Sequence, residues 1–316
     1  MRSAAGLRPR VVVVLGPTAA GKSQLGIDLA HRLNGEVVNA DSMQLYQGMD
    51  VGTAKLTHDE RQGVVHHLLD IWPVTRTASV ADYQTHARAA ISEVAERGRI
   101  PILVGGSGLY IRAVIDDMSF PGTDAEVRAS LEAELAVVGA PEMHARLASI
   151  DAATAATMLP TNGRKIVRAL EVAAIGGGSF TGLMPSYESI YDAVLIGVDR
   201  PTEELDERLT QRVDWMWAHQ FVDEVRGLAE HAGLREGVTA RRALGYKQVL
   251  AALDGEISQD DARARTVQAT KRFVRRQRSW FRPDPRIHWL LAAHDTAERA
   301  AALFRRPDVP PPAGSG

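Results

Sequence analysis

The sequence predicts an α/β protein: a mostly parallel sheet built around a phosphate-binding loop, with an all-helical insertion. Three observations carry this. An apolar β-branched run, Val11 to Leu15, leads into a glycine loop and then a helical pattern. Further apolar runs alternate with helical stretches, as strands and crossover helices do in a parallel sheet. Between Asp124 and Ile175 the alternation stops, and an Ala-rich segment reads as helix throughout.

The glycine loop comes first. Gly16-Pro17-Thr18-Ala19-Ala20-Gly21-Lys22-Ser23 matches Gly-x-x-x-x-Gly-Lys-[Ser/Thr]. It lies between a strand and a helix read over Gln24–Leu33, where Leu25, Leu29 and Leu33 share a face. This is the context of a P-loop NTPase-like core. Gly16 and Gly21 let main-chain N–H groups converge on an anion, and the helix adds its positive end. Lys22 supplies a charge to the terminal phosphates, and the Ser23 hydroxyl is placed to ligate magnesium. The motif asks for a di- or triphosphate. It does not separate ATP from another pyrophosphate ester.

The remaining elements follow in order. Strands are expected at Glu36–Ala40, Ile100–Val104 and Asp192–Val198, with a helix at Val80–Arg97 and helical pattern again from Thr202 onward. The expected division is a core of residues 1–122 and 188–316 and an insertion of 123–187. In such sheets ligands sit beyond the carboxyl ends of the strands. Asp41-Ser42-Met43-Gln44-Leu45-Tyr46 and Gly105-Gly106-Ser107-Gly108-Leu109-Tyr110 occupy those places. Asp41 is either a carboxylate acting on a ligand or a helix N-cap. No apolar strand other than the one before Asp41 is read as ending in the acidic residue that many ATPases use, which weighs against ATP hydrolysis.

Composition narrows the classes. The chain has 316 residues, 45% hydrophobic and 24% charged, enough for a substantial core in one or two domains. It has no cysteine, which removes disulfides, thiolate metal sites and a cysteine nucleophile, and suits the cytoplasm. No run is long and apolar enough for a membrane span, and no signal-peptide pattern precedes the first strand. Pro310–Gly316 reads as a disordered tail. The net charge of −2 argues by itself against a nucleic-acid partner. Yet Arg263–Arg286 carries nine basic residues against Asp284 alone, the footprint of a polyanion partner unless it is merely a solvated helix face.

Taken together, the segments resemble the bacterial tRNA dimethylallyltransferases, also called tRNA isopentenyltransferases. The matching blocks are Gly16–Ser23, Asp41–Tyr46, Met49–Lys55 (Met-Asp-Val-Gly-Thr-Ala-Lys) and His66–Asp70 (His-His-Leu-Leu-Asp). Then come Gly105–Tyr110, Arg164–Val172 (Arg-Lys-Ile-Val-Arg-Ala-Leu-Glu-Val), Arg242–Lys247 (Arg-Ala-Leu-Gly-Tyr-Lys) and Ala269–Arg282. They run in order from Val11 to Arg282, and several are not general phosphate-loop features.

The resemblance implies transfer of a dimethylallyl group from dimethylallyl diphosphate to the exocyclic amine of the adenine 3′ of the anticodon. The tRNAs concerned read codons that begin with U. It implies Asp41 as the group that accepts the amine proton, and Lys22, Thr18, Ser23 with magnesium, and the loop amides as the diphosphate cradle. Arg212 looks like the family's pyrophosphate clamp. Ser42, Met43 and Gln44 are expected to frame the adenine. Arg164, Lys165, Arg168, Arg242, Gly245, Tyr246 and Lys247 match tRNA-contacting blocks, with Arg128, Arg275 and Arg276 expected to join them. The adenine has to leave its stack to reach the crevice. The expected partner is the tRNA anticodon stem-loop, and a monomer is expected. Ser107 departs from the family's usual threonine; it keeps the hydroxyl and loses a methyl. Gly176-Gly177-Gly178 has no assigned purpose. An isopentenyltransferase acting on free adenine nucleotides and a small-molecule P-loop kinase would share the core. A mononucleotide needs neither the insertion nor the basic run, and a kinase implies no tRNA binding. A non-catalytic RNA-binding protein would leave Lys22, Ser23 and Asp41 without a role.

Overall fold

The computed structural model describes residues 8–176 and 187–305, in two units. One comprises Met1–Ile115 and Ser189–Gly316, the other Asp116–Glu188. Gly177, Gly178 and the Pro310–Gly316 tail lie outside the described residues.

The first unit holds a six-stranded sheet, parallel throughout, in the order β3-β2-β4-β1-β5-β6. The strands are β1 (Arg10–Leu15), β2 (Gly35–Asn39), β3 (His66–His67), β4 (Ile100–Gly105), β5 (Asp192–Asp199) and β6 (Ile287–Leu291). Parallel strands need cover on both faces. In β1, Val11 to Val14 are fully buried. Alternation sends Val11, Val13 and Leu15 to one face and Val12 and Val14 to the other.

The first face packs against α2 (Val80–Glu96), α3 (Gly108–Ile115), α9 (Phe221–His231) and α10 (Tyr246–Leu253). Tyr83, Ile91, Ile111, Phe221 and Tyr246 fill that layer. The second face packs against α1 (Lys22–Leu33), α8 (Thr202–Ala218) and α12 (Thr296–Arg305) through Leu25, Ile27, Leu29, Leu205, Leu209 and Phe304. The long helix α11 (Gln259–Phe281) starts at Ser258, whose hydroxyl accepts the Asp261 N–H. Among the described residues no helix is long and apolar enough to cross a membrane.

The expected strands at Glu36–Ala40, Ile100–Val104 and Asp192–Val198 appear as β2, β4 and β5, with ends moved by one residue. One expectation is corrected. β5 runs on to Asp199, so a strand beside β1 does end in a carboxylate. Arg278 engages it at 2.8 Å, and Asp199 also accepts the Arg200 N–H, so this carboxylate is committed to structure. β3, β6 and α12 have no counterpart in the sequence reading. β3 is two residues long, and β6 follows the basic run and Pro283-Asp284-Pro285 without a clear alternation.

The second unit is built from α4 (Ala125–Val138), α5 (Ala140–Ile150), α6 (Ala152–Ala156) and α7 (Gly163–Ala174). Its own core gathers Leu131, Met143, Leu147, Ile166 and Leu170. Asp124, Asp151 and Asn162 cap α4, α6 and α7. Glu171 is fully buried there, accepting from Arg128 at 2.6 Å, Arg168 at 2.9 Å and the Asp124 N–H at 3.0 Å. Burial alone would raise its pKa. The two guanidiniums and the amide outweigh that and hold the carboxyl below its ordinary 4.5.

A depressed carboxyl stabilises above its unfolded pKa and loses that contribution as the pH falls through the folded value. This share of stability should therefore be complete above pH 4.5 and decline below it. Glu171→Gln should destabilise the unit by about 2 kcal/mol, since both arginine partners keep some contact with water. It should also flatten the acid limb. Thermal unfolding of the full chain between about pH 3 and pH 7 checks both, and an unchanged acid limb would show that other carboxylates set it.

Candidate active site

The loop after β1 is held by its carbonyls. Arg200 Nε donates to Ala20 O at 3.1 Å and Arg208 Nε to Ala19 O at 3.1 Å. Lys22 Nζ donates to Pro17 O at 2.7 Å. Gly21, at φ +105°, turns the chain into α1 in a conformation that L side chains rarely adopt. A Cβ on Gly16 would lie 2.2 Å from Val198 O, so this glycine lets the loop pass against β5.

The loop after β2 carries Asp41. Asn39 Oδ1 accepts the Asp41 N–H at 2.9 Å, and Asn39 Nδ2 donates to Asp41 O at 3.1 Å. Asp41 Oδ1 accepts the Met43 N–H at 2.9 Å, a local turn rather than a helix cap. The loop after β4 joins it: Ser107 Oγ accepts the Ser42 N–H at 3.3 Å and meets Ser42 Oγ at 3.3 Å.

Two cavities flank Asp41. The first, of about 220 Å³, is lined by the phosphate loop from Thr18 to Ser23 with Asn39, Gln44, Arg208 and Arg212. The second, of about 310 Å³, has a more apolar wall of Met43, Leu209, Val213, Met216, Tyr246 and Phe273. Thr18, Asp41, Thr53 and Arg212 line both. Burial pushes the Lys22 ammonium down to about 8, partly opposed by the nearby Asp41 carboxylate and helped by Arg212. Burial likewise lowers Arg212, again against Asp41. A carboxylate near two desolvated cations, lining both the glycine-loop cavity and the more apolar one, suits proton removal beside an anionic leaving group.

Ser23 lines the first cavity with its residue exposed. No cluster of three or more histidine or acidic residues suited to a metal occurs among the described residues. A hydroxyl beside a phosphate cradle fits magnesium held jointly with phosphate oxygens, not a carboxylate-bound metal.

The other expected residues are placed as follows. Gln44 donates to Thr53 O at 3.1 Å and borders the first cavity. Arg242 and Arg276 are exposed and line the second cavity, Arg276 lying over the Phe273 ring at 5.9 Å. Arg275 and Lys247 are exposed. Gly245 and Tyr246 are buried: the Tyr246 hydroxyl bonds Glu224, so its phenol faces the interior and not an open RNA face. In the helical unit, Arg164 and Lys165 are exposed at the first turn of α7, whereas Arg128 and Arg168 are engaged by Glu171. Arg263, Lys271, Arg278 and Arg286 of the basic run pair with Asp214, Asp206, Asp199 and Asp284, and Arg265, Arg272, Arg275, Arg276 and Arg282 are the other cations of the run, all exposed.

Sequence reasoning missed Arg200, Thr53, Glu224 and Gln277. Glu224 accepts the N–H groups of Asp50, Val51 and Gly52 at 3.0, 2.6 and 3.2 Å. Of these only Gln277 left a signal, three residues after Val274 and four before Phe281 and so on the apolar face of a helix.

A family model described as IPP transferase matches residues 44–284. The chain is 64% identical to a tRNA dimethylallyltransferase of Acidothermus cellulolyticus, over 93% of this chain and 92% of that one. The chain belongs to the tRNA dimethylallyltransferase family. The crystal structure of the full-length tRNA isopentenylpyrophosphate transferase of Bacillus halodurans is 36% identical, with a TM-score of 0.67 over 95% of this chain and all of that one. A eukaryotic dimethylallyltransferase acting on tRNA is 25% identical, with a TM-score of 0.77 over 93% of this chain and 78% of that one.

Lys22 is a cation below about pH 8 and neutral above it. With magnesium present, affinity for inorganic pyrophosphate should fall as the pH rises through about 8, relative to a Lys22→Arg variant charged at every pH. Comparing the two proteins removes the ligand's own titration. Calorimetry at about pH 7 and about pH 9 reads the result, and parallel profiles would separate Lys22 from the anion.

Proposed function

We propose that this family member transfers a dimethylallyl group from dimethylallyl diphosphate to the exocyclic amine of the adenine 3′ of the anticodon. The tRNAs are those reading codons that begin with U, and the products are N6-isopentenyladenosine in tRNA and pyrophosphate. The observation that carries the reading is Asp41 lining both cavities, between the phosphate loop and an apolar chamber rimmed by Arg242 and Arg276.

The chemistry follows from these groups. The amine nitrogen forms a bond to the allylic carbon as that carbon's bond to the diphosphate oxygen breaks. The amine is a poor nucleophile because its lone pair is delocalised into the ring. Asp41 accepts its proton and raises its electron density as the bond forms. Negative charge grows on the departing pyrophosphate, where Lys22, Arg212, the Thr18 hydroxyl and the loop amides stabilise it. Ser23 would hold magnesium, which when bound neutralises part of that charge. The apolar wall of the second cavity excludes water, the competing nucleophile.

Arg242, Lys247, Arg275 and Arg276, with Arg164 and Lys165 of the helical unit, are the exposed cations assigned to the anticodon stem-loop. The protein is proposed to act as a cytoplasmic monomer.

The deciding assay is incubation with magnesium, dimethylallyl diphosphate and unmodified tRNA, with nucleosides read by mass spectrometry. Isopentenyladenosine from tRNA and none from free AMP is expected. Product from AMP alone would make it a nucleotide enzyme, and silence with both would favour a kinase. Asp41→Ala should bind the stem-loop normally and turn over about 10²–10⁴-fold more slowly; near-normal turnover would remove Asp41 from the proton step. Reversing the charge at Arg275 and Arg276 together should weaken RNA binding and reduce the slope of log affinity against log salt by about 2.

A further inference from the structure

Gln277 lies on the buried face of α11, only 5% exposed. Both ends of its amide are bonded. Oε1 accepts the Thr18 N–H at 2.9 Å, and Nε2 donates to Gly106 O at 2.9 Å. One side chain thus joins the phosphate loop after β1 to the glycine loop after β4. The amide fits one way round, because reversing it would set donor against donor and acceptor against acceptor.

The glycine loop is shaped to this contact. A Cβ on Gly106 would lie 2.3 Å from Gln277 Nε2. One turn further along α11, Trp280 packs so closely on Gly108 that a Cβ there would lie 2.0 Å from its ring. Between them Arg278 grips Asp199 and donates to Thr202 at 2.8 Å. A single helix therefore fixes the strand ends on both sides of β1.

The Thr18 N–H is taken by Gln277, which leaves its hydroxyl as the group Thr18 can offer a diphosphate. Next to Gly106, Ser107 holds Ser42, the residue after Asp41. Gln277 stands midway between the cradle of the leaving group and the loop that aims the carboxylate. A productive site tolerates errors of only about 0.5 Å in such a relation.

We propose that Gln277 is a positioning residue for the transfer reaction, fixing the register of the phosphate loop against the loops that carry Ser107 and Asp41. The proposal rests on the reading of the Gly16–Ser23 loop as the diphosphate site.

Two variants test it. Gln277→Leu removes both bonds at similar size. Gln277→Glu keeps one donor and one acceptor when its carboxyl is protonated, as the amide does, and loses the donor when ionised. Burial favours the protonated form, which brings the change into an accessible pH range. The readouts are magnesium–pyrophosphate affinity by calorimetry, the KM for dimethylallyl diphosphate against kcat, anticodon stem-loop affinity, and Tm.

Gln277→Leu should raise the pyrophosphate Kd and the diphosphate KM about ten-fold and lower kcat, as expected for an orphaned buried donor and acceptor. Stem-loop affinity should stay within about two-fold. For Gln277→Glu, the pyrophosphate Kd relative to wild type should approach one at low pH and rise as the pH increases. Wild-type pyrophosphate affinity in Gln277→Leu, or a pH-independent ratio for Gln277→Glu, would overturn the proposal. So would an equal fall in pyrophosphate and stem-loop affinity alongside a lower Tm, the mark of a structural residue. A wild-type protein that binds no pyrophosphate would instead sink the diphosphate-site reading beneath it.

Discussion

Backbone N–H groups that converge on an anion repel one another until the anion arrives, so the loop presenting them has to be fixed from behind. Here that work falls to residues far along the chain. Arg200, Arg208 and Gln277 lie 180, 189 and 259 positions from the loop atoms they bond. Two bind loop carbonyls, those of Ala20 and Ala19, and the third accepts the Thr18 amide. Gly16 completes the seat by letting the loop lie against Val198 at the end of β5. A motif complete by residue 23 therefore gains its working shape only when β5, α8 and α11 have docked, which makes the site a product of strongly non-local contacts.

The same logic governs the neighbouring segments. The turn at Asp50–Gly52 is shaped by one carboxylate, Glu224, whose other contact is the buried Tyr246 hydroxyl. Lys55, almost fully buried, closes that turn with Asp50, Asp70 and Tyr46 O. A buried ammonium needs such company, because desolvation without partners would neutralise or expel it. The Met49–Lys55 and His66–Asp70 blocks thus form a brace beneath the Asp41 loop. Thr53, carried on that brace, reaches both cavities.

How much was legible follows from the range over which each feature is determined. β1, the phosphate loop and α1 are encoded locally, by an apolar run, two glycines and a leucine stripe, and all were readable. Their neighbours β2, β4 and β5 were readable to within a residue at either end. β3 was not, since two residues carry no period, and β6 was hidden behind a charge run. Asp199 was missed as the last residue of a strand because strand ends are set by pairing partners. Gln277 is one glutamine among arginines, and only its spacing from Val274 and Phe281 sets it on the inward face. The basic run read as a polyanion surface opposed by Asp284 alone, yet three more of its nine cations are matched by acidic residues that only the fold brings near. Tyr246, within a block that resembles an RNA contact, proves to be core.

The electrostatics of the centre make the order of events matter. Lys22 and Arg212 are both destabilised as cations by burial, and Asp41 is the charge that opposes this for each of them. In that arrangement Asp41 serves as their counter-ion. A diphosphate seated on Lys22 and Arg212 would take over that role with more negative charge than one carboxylate supplies. It would hold both cations in their charged forms and release Asp41 from its place as their counter-ion. The same diphosphate would seat the allylic carbon at the junction of the two cavities. In the proposed reaction, loading the donor substrate would thus supply the electrophile and at the same time free the Asp41 carboxylate from its two cations to face the amine.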